Sequence, residues 1–396
     1  MERMIVMTPK AQKRAKVMEM VRLKKISFGQ ASGLLKITAR QVKRIYKEYL
    51  ENGDISLNHG LIGGKGNHRV DDGVKETALM LYRNRYPDFG PTFAAEKMEE
   101  EFGLKVKHET LRLWLKKEGE WTKHRKRTAH RNRRARKSRF GMMLQIDGSI
   151  HDWFENGTSV CLMDAVDDAT GKAYGLFDTG ETTDVALRVL YDWIKKYGIP
   201  QSVYSDRKSL FYTERVPNIQ EQLDGVEPLT EFGKVCKELG IEMIFAYSPQ
   251  AKGRVERRNG VLQDRLIKEM RLRGIKDIET ANRFLREEYW GKFDEKFEKT
   301  PASEEDAHVA LLPSQNIDEL VSYTNLRILT NDYVVRCENR FFQIIKGNKV
   351  NVFPKCRIVI KEWLDKTIHQ YYNRQELRYR EITPRNAEDI CLVLNY

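Results

Sequence analysis

The sequence predicts a multidomain protein: N-terminal all-α helix-turn-helix units, a central α/β core and a small C-terminal β-barrel that is SH3-like. Three observations carry this. Residues 8–117 show apolar spacing of helical period between cap and breaker residues. Residues 141–292 alternate short apolar runs with helical patterns, and residues 326–382 are short β-branched and aromatic runs divided by turn residues. The expected divisions are 1–56, a linker over 57–70, a second helical unit over 71–120, a basic linker over 121–140, the core, an extension over 293–325, the barrel and a tail over 383–396.

Residues 8–52 read as three short helices. Thr38 can cap the third, with Val42, Ile45 and Leu50 facing inward and Arg40, Gln41, Lys43, Arg44 and Lys47 facing out. A short helix over 28–35 precedes it at helix-turn-helix spacing, and an Arg/Gln-rich face at such a position suits bidentate contacts to base edges of double-stranded DNA. The bland alternative is a three-helix bundle with a solvated basic face. After the glycine-rich stretch 58–67, helices are expected over 74–86, 92–102 and 108–117, with Pro91 heading the second. Leu111, Trp114 and Leu115 form the apolar stripe of the last, leaving Lys107, His108, Glu109 and Arg112 for a DNA groove. Here packing alone explains the pattern nearly as well, because Glu96, Glu99, Glu100 and Glu101 make the adjacent surface acidic.

Between 123 and 139 there are ten Lys/Arg in seventeen residues and no acid: Lys123, Arg125, Lys126, Arg127, Arg131, Arg133, Arg134, Arg136, Lys137 and Arg139. Such a run repels itself and is expected to be extended, serving either as a solvated spacer or as an arm that tracks DNA phosphates.

The core reads strand, strand, strand, helix, strand, helix, strand, helix. Two apolar runs end in acids, Asp147 and Asp206, and the long last helix opens with Tyr247-Ser-Pro-Gln-Ala-Lys-Gly-Arg-Val-Glu-Arg-Arg-Asn-Gly260. Acids at the carboxyl edge of adjacent parallel strands lie where open α/β sheets bind ligands. With Glu256 brought over that edge, three carboxylates would repel one another unless divalent cations filled the site. Hard oxygen ligands favour Mg²⁺ or Mn²⁺, and two such ions suit phosphodiester chemistry. Lys252, Arg254, Arg257 and Arg258 are candidate phosphate clamps, and Asn259 is placed to orient the carboxylate or DNA. Asp152 and Asp164 are the substitutes if Asp147 is the wrong choice. Asp164, Asp167, Asp168, Asp178 and Asp184 read most simply as turn, edge or helix-start residues.

The order Asp147, Asp206, Glu256, with Ser-Pro-Gln-Ala-Lys-Gly-Arg-Val-Glu around the last, resembles the DDE transposase and retroviral integrase superfamily. Leu144-Gln-Ile-Asp-Gly-Ser149 and Tyr204-Ser-Asp206 look most like the ISNCY group of bacterial insertion-sequence transposases. The resemblance implies an RNase H-like core with two Mg²⁺ ions per site held by Asp147, Asp206 and Glu256. It implies cleavage of DNA 3′ ends and their joining to target DNA, by a homo-oligomer that is at least a dimer on element ends and target. It also implies a cytoplasmic, nucleoid-associated bacterial protein. The spacer between Asp206 and Glu256 is longer than in many relatives, and the excess around residues 212–229 reads as an inserted loop. Two other readings fit the same residues: a structure-selective nuclease on this fold, and a DNA-binding regulator with an inactive core.

The C-terminal strands are expected at 326–329, 333–337, 340–345, 349–353 and 357–361, forming a module for DNA, folding or dimer contact. A net charge of +13 points to a polyanionic partner. The five cysteines show no Cys-x-x-Cys pair and no zinc-ligand spacing with histidine, so they are expected to be reduced and mostly buried. No apolar run reaches membrane-spanning length, and no membrane role is expected.

Overall fold

The structure, a computed structural model, describes residues 7–58, 70–122, 135–223, 225, 227–246 and 255–383, with backbone alone for residues 220 and 255–257. The chain divides into two compact units, Met1–His124 and Arg125–Tyr396.

In the first unit, α1 spans Pro9–Arg22, α2 Phe28–Leu35 and α3 Ala39–Asn52. Both α2 and α3 open with a full capping box, Ser27 with Gln30 and Thr38 with Gln41. The turn between them passes through Lys36 in the left-handed region. Val17, Met18, Val21, Ala31, Val42 and Ile45 close the core. Leu50 does not join it and is 56% exposed. The inward face of α3 runs 42, 45, 49, so Tyr49 turns in and donates its hydroxyl to Glu19 Oε2 at 3.0 Å; Leu50 lies a further 100° round the helix. Then come α4 (Asp72–Arg85), α5 (Pro91–Phe102) and α6 (His108–Lys117). Pro91 heads α5, and Gly103, in the left-handed conformation, ends it. Leu111 and Leu115 are fully buried, whereas Trp114 is only half-buried.

The second unit is built on β1 (Leu144–His151), β2 (Val160–Asp167), β3 (Ala173–Asp178), α7 (Thr183–Tyr197), β4 (Ser202–Ser205), α8 (Ile219–Leu223), α9 (Glu231–Glu238), β5 (Glu242–Phe245) and α10 (Val255–Arg273). The strands form one sheet in the order β3-β2-β1-β4-β5. The first three are antiparallel, while β4 and β5 are parallel to β1. This mixed α/β arrangement fits the expected RNase H-like core. β1 is central, and β2 is buried from end to end. Leu162, Leu187, Leu190, Trp193, Val203, Leu262 and Leu266 lie in the apolar core; each such side chain contributes roughly 1.5–3 kcal/mol by leaving water. The described residues of the inserted stretch after β4 are irregular apart from the short α8.

Two further helices, α11 (Ile278–Phe284) and α12 (Trp290–Phe297), pack on β3, so α12 runs across the division expected at residue 292. Trp290 is fully buried and donates Nε1–H to the Gly175 carbonyl at 2.9 Å. A Cβ at Gly175 would come within 2.6 Å of the Met163 carbonyl, so this strand contact needs glycine. The segment expected as an extension is docked on the core. Ala307 N–H donates to the Phe140 carbonyl at 2.8 Å, and Ile199 bridges Val309. Trp193 Nε1–H donates to His308 Nε2 at 3.1 Å.

Among the described residues the C-terminal part holds seven strands rather than five: β6 (Tyr323–Ile328), β7 (Val334–Cys337), β8 (Arg340–Ile344), β9 (Arg357–Glu362), β10 (Ile368–Tyr372), β11 (Gln375–Glu376) and β12 (Tyr379–Ile382). They form two sheets, β11-β10-β9-β6 and β12-β8-β7, and not a closed barrel. Residues 349–353 are irregular. Val350 and Val352 instead pack as side chains against the small core around Phe342, Ile358 and Ile360. Lys361 ties this module to α9 through Glu238 at 2.7 Å. Among the described residues the cysteines are free, three buried and Cys356 half-buried, and no described helix is long and apolar enough to cross a membrane.

Candidate active site

β1 and β4 run parallel, with Leu144 opposite Val203 and Gln145 opposite Tyr204. Carried two residues further, that register sets Asp206 opposite Asp147, on strands whose axes lie about 4.8 Å apart. Asp206 is the first residue past β4. β1 does not end at Asp147 as expected, because its antiparallel pairing with β2 continues to His151 opposite Val160. Asp147 thus stands at the carboxyl edge of the parallel half of the sheet while inside its own strand.

Glu256 is the second residue of α10. Gln263 Nε2 donates to Ser149 Oγ at 3.1 Å, so the helix lies over the face of β1 that carries Ser149 and, two residues earlier, Asp147. Arg258 reaches the Gly171 carbonyl at the β2–β3 turn, beyond the Leu144 end of β1. Between these two contacts the start of α10 runs back along β1 from Ser149 towards Leu144, past the position of Asp147. Nothing is described of the Glu256 side chain, and among the described residues no three His, Cys, Asp or Glu side chains form a metal-holding group. Asn259, one helical turn after Glu256, has a buried Oδ1 with no hydrogen-bond partner among the described residues.

The other acids are committed elsewhere. Asp152 accepts the Asn156 and Gly157 amides at 3.1 and 3.0 Å. Asp167 accepts from Thr170 and from the Gly141 amide. Asp168 accepts from Gln145 and the Lys137 amide. Asp178 caps Thr179 and Thr182, and Asp184 pairs with Arg188 and Lys366. Asp164 is fully buried opposite Asp147. Like charges across a strand pair are unfavourable, and the nearby Arg258 charge offsets this one.

Arg258, one of the candidate phosphate clamps, is turned inward. It is half-buried, lies over the Phe293 ring 4.9 Å from its centroid, and faces Asp164 and Asp294. Burial pulls its pKa down against the pull of those two acids. Asp294 is itself pushed up to about 6 by burial, although its Oδ1 accepts the Ala173 amide at 2.9 Å.

Two residues at this edge escaped the sequence reading. Lys208 Nζ donates to both oxygens of Glu181, at 2.9 and 2.6 Å, and lies 3.8 Å from Asp206 Oδ2. Its main-chain N–H donates to Asp206 Oδ1 at 3.2 Å. Burial would lower the Lys208 pKa, but the Glu181 hydrogen bond and the charges of Glu181, Asp206 and Asp147 outweigh it and raise it. The ammonium is held at this edge by Glu181 with Asp206 nearby, carboxylate oxygens being the donor type that suits hard divalent ions. The available signal was a lysine two residues past Asp206; nothing local marks Glu181, which only the fold brings here.

The basic candidates divide. Arg40, Lys43, Arg44 and Lys47 are exposed on α3, with Lys43 over the Phe28 ring and Lys47 3.9 Å from Glu51. Gln41, also exposed, accepts the Thr38 amide on its Oε1 at 3.3 Å. Lys107 and His108 are exposed, but Arg112 is bound to Glu109 through two hydrogen bonds, at 2.7 and 2.6 Å. Arg136 donates to the Asp168 and Ala169 carbonyls and Arg139 pairs with Glu305 at 3.1 Å, so this end of the basic run is docked rather than extended. Lys123, Arg125, Lys126, Arg127, Arg131, Arg133, Arg134, Lys252 and Arg254 lie outside the described residues, as does the side chain of Arg257.

No family model matches the chain. The chain is 38% identical over 307 residues to a protein named as transposase y4bF of Sinorhizobium fredii, covering 77% of this chain and 66% of that one. It therefore spans slightly less than two thirds of that relative's length. It is 29% identical to the transposase for insertion sequence IS1202 of Streptococcus pneumoniae, covering 89% of this chain and 83% of that one. The HTLV-2 integrase catalytic core in complex with magnesium is 19% identical with a TM-score of 0.29, covering 37% of this chain and 82% of that one. The chain is thus similar to named transposases over most of its length, which supports the DDE transposase and integrase superfamily that its sequence resembles.

Proposed function

We propose that this chain is the transposase of a bacterial insertion sequence of the ISNCY type, cleaving the 3′ ends of its element and joining them to target DNA. The register that sets Asp206 beside Asp147, with α10 crossing the same face of β1, is the observation that carries this reading. The named transposase relatives support it. Asp147, Asp206 and Glu256 would hold two Mg²⁺ or Mn²⁺ ions, which when bound supply stabilisation of the attacking and leaving oxygens. Asn259 is placed to hold the Glu256 turn or a strand of DNA against it. In the first step water attacks the phosphodiester and frees a 3′-hydroxyl. In the second that hydroxyl attacks a target phosphodiester in line, forming one bond as another breaks, with no covalent enzyme intermediate.

In this reading the two helical groups of residues 8–120 are helix-turn-helix units that read the element ends. Arg40, Lys43, Arg44, Lys47, Lys107 and His108 contact duplex DNA, and the basic run before the core tracks phosphates. Two ends brought together require at least two subunits. Strand transfer with labelled element-end oligonucleotides and Mg²⁺ tests the assignment. The unmodified chain should yield joined product, and Asp147→Asn, Asp206→Asn and Glu256→Gln should each lower it by a factor of about 10³ or more. Joined product from all three variants would remove these residues from the chemistry, while cleavage without joining by the unmodified chain would favour a nuclease.

A further inference from the structure

The ammonium of Lys208 lies at the edge where the reading above puts divalent ions. It stands on Glu181 and 3.8 Å from Asp206, and the charge of Asp147 acts on it as well. The Lys208 main-chain bond to Asp206 fixes the turn between them, so the side chain is a short tether. Glu181 is held equally closely. It follows β3 directly before Thr182, the cap of α7, and is mostly buried, at 13% side-chain exposure. A Cβ on Gly148, the neighbour of Asp147, would come within 2.8 Å of the Glu181 carboxyl carbon. Only glycine at 148 lets the carboxylate lie there.

We propose that Lys208 is the counter-cation of the metal-free site and that Glu181 is its anchor, holding the ammonium beside Asp206 until divalent ions displace its charge. This rests on the metal-site reading above. An arrangement of two adjacent aspartates is self-repelling, and one tethered positive charge keeps the edge assembled before an ion arrives. The same charge opposes ion entry. Glu181 limits that opposition by keeping the ammonium on its own oxygens, at hydrogen-bond distance, while Asp206 stays 3.8 Å away. Glu181 and Lys208 are thus positioning residues: they set how readily the site takes its ions, and neither needs to touch the scissile phosphate.

The test is Mn²⁺ binding to the full chain without DNA, read as free Mn²⁺ by electron paramagnetic resonance, so no turnover is involved. Lys208→Met and Lys208→Gln should both bind Mn²⁺ about tenfold more tightly, since a positive charge a few ångströms from the ion is removed. Glu181→Gln should bind it several-fold more weakly, because the released ammonium then falls on Asp206. In the Lys208→Met background the Glu181→Gln change should have little further effect. Unchanged affinity in both Lys208 variants would overturn the proposal and assign the lysine to DNA instead. Equal weakening by Glu181→Gln in both backgrounds would also overturn it, by making Glu181 a direct ligand. Mn²⁺ binding by Asp206→Asn as tight as by the unmodified chain would instead overturn the metal-site reading itself, and this proposal with it.

Discussion

At the scale of the residue, Arg258 is the clearest case of a side chain whose role is opposite to its chemistry in isolation. A guanidinium two residues from Glu256 would ordinarily be assigned to phosphate. Here it is folded back over Phe293 towards Asp164 and Asp294, so it anchors the first turn of α10 to the sheet from beneath. Removing one partner of a buried charge group costs more than the group contributes, because the remaining charges are left without compensation. Arg258→Met should therefore destabilise the second unit by about 3 kcal/mol, measured as the urea midpoint of buried tryptophan fluorescence from Trp153, Trp193 and Trp290. A midpoint unchanged within error would return Arg258 to the surface and to DNA. Asp147 and Asp206 were legible in the sequence because each follows an apolar run; the inward turn of Arg258 was not, since the acids it meets are distant along the chain.

At the scale of the element, α3 shows how a local motif can consume a residue that looks available. Its capping box needs Gln41 to accept the Thr38 amide while Thr38 accepts the Gln41 amide, at 3.3 Å each. Thr38→Ala should cost about 1 kcal/mol and raise amide exchange in the first turn of α3 about fivefold, read by hydrogen exchange of the full chain. No change there would mean that packing alone holds the helix. The cap was legible from Thr38, whereas the phase error at Leu50 was not, because a 14-residue amphipathic helix offers two adjacent apolar stripes and only its neighbours choose between them. The C-terminal strands show the same limit. Val350 and Val352 have strand-like spacing, yet they serve the small core from irregular backbone. The expected barrel becomes two sheets because β6 pairs with β9 and β9 with β10, while β7 pairs with β8 and β8 with β12.

At the scale of the whole molecule, the net charge of +13 is not spread evenly over usable positions. Arg136 and Arg139 are spent on the core, and seven further Lys/Arg of the basic run stand between 123 and 134. Replacing those seven with serine should make the slope of log K against log salt for duplex binding less negative by as much as about 6. A slope unchanged by the replacement would place the phosphate contacts elsewhere, most directly on α3 and α6.

The sequence alone determined the order of the core elements, with Asp147 on the first strand and Asp206 just past the fourth, because apolar periodicity, caps and turn residues are local properties of the chain. The extended stretch 300–309 docked on Phe140 and Ile199, the inward turn of Arg258 and the meeting of Lys208 with Glu181 were decided only by tertiary structure. Each joins residues brought together by the parallel crossover and by the packing of α10 across β1. A contact between distant positions carries no periodic signature until the sheet register sets which side chains face each other.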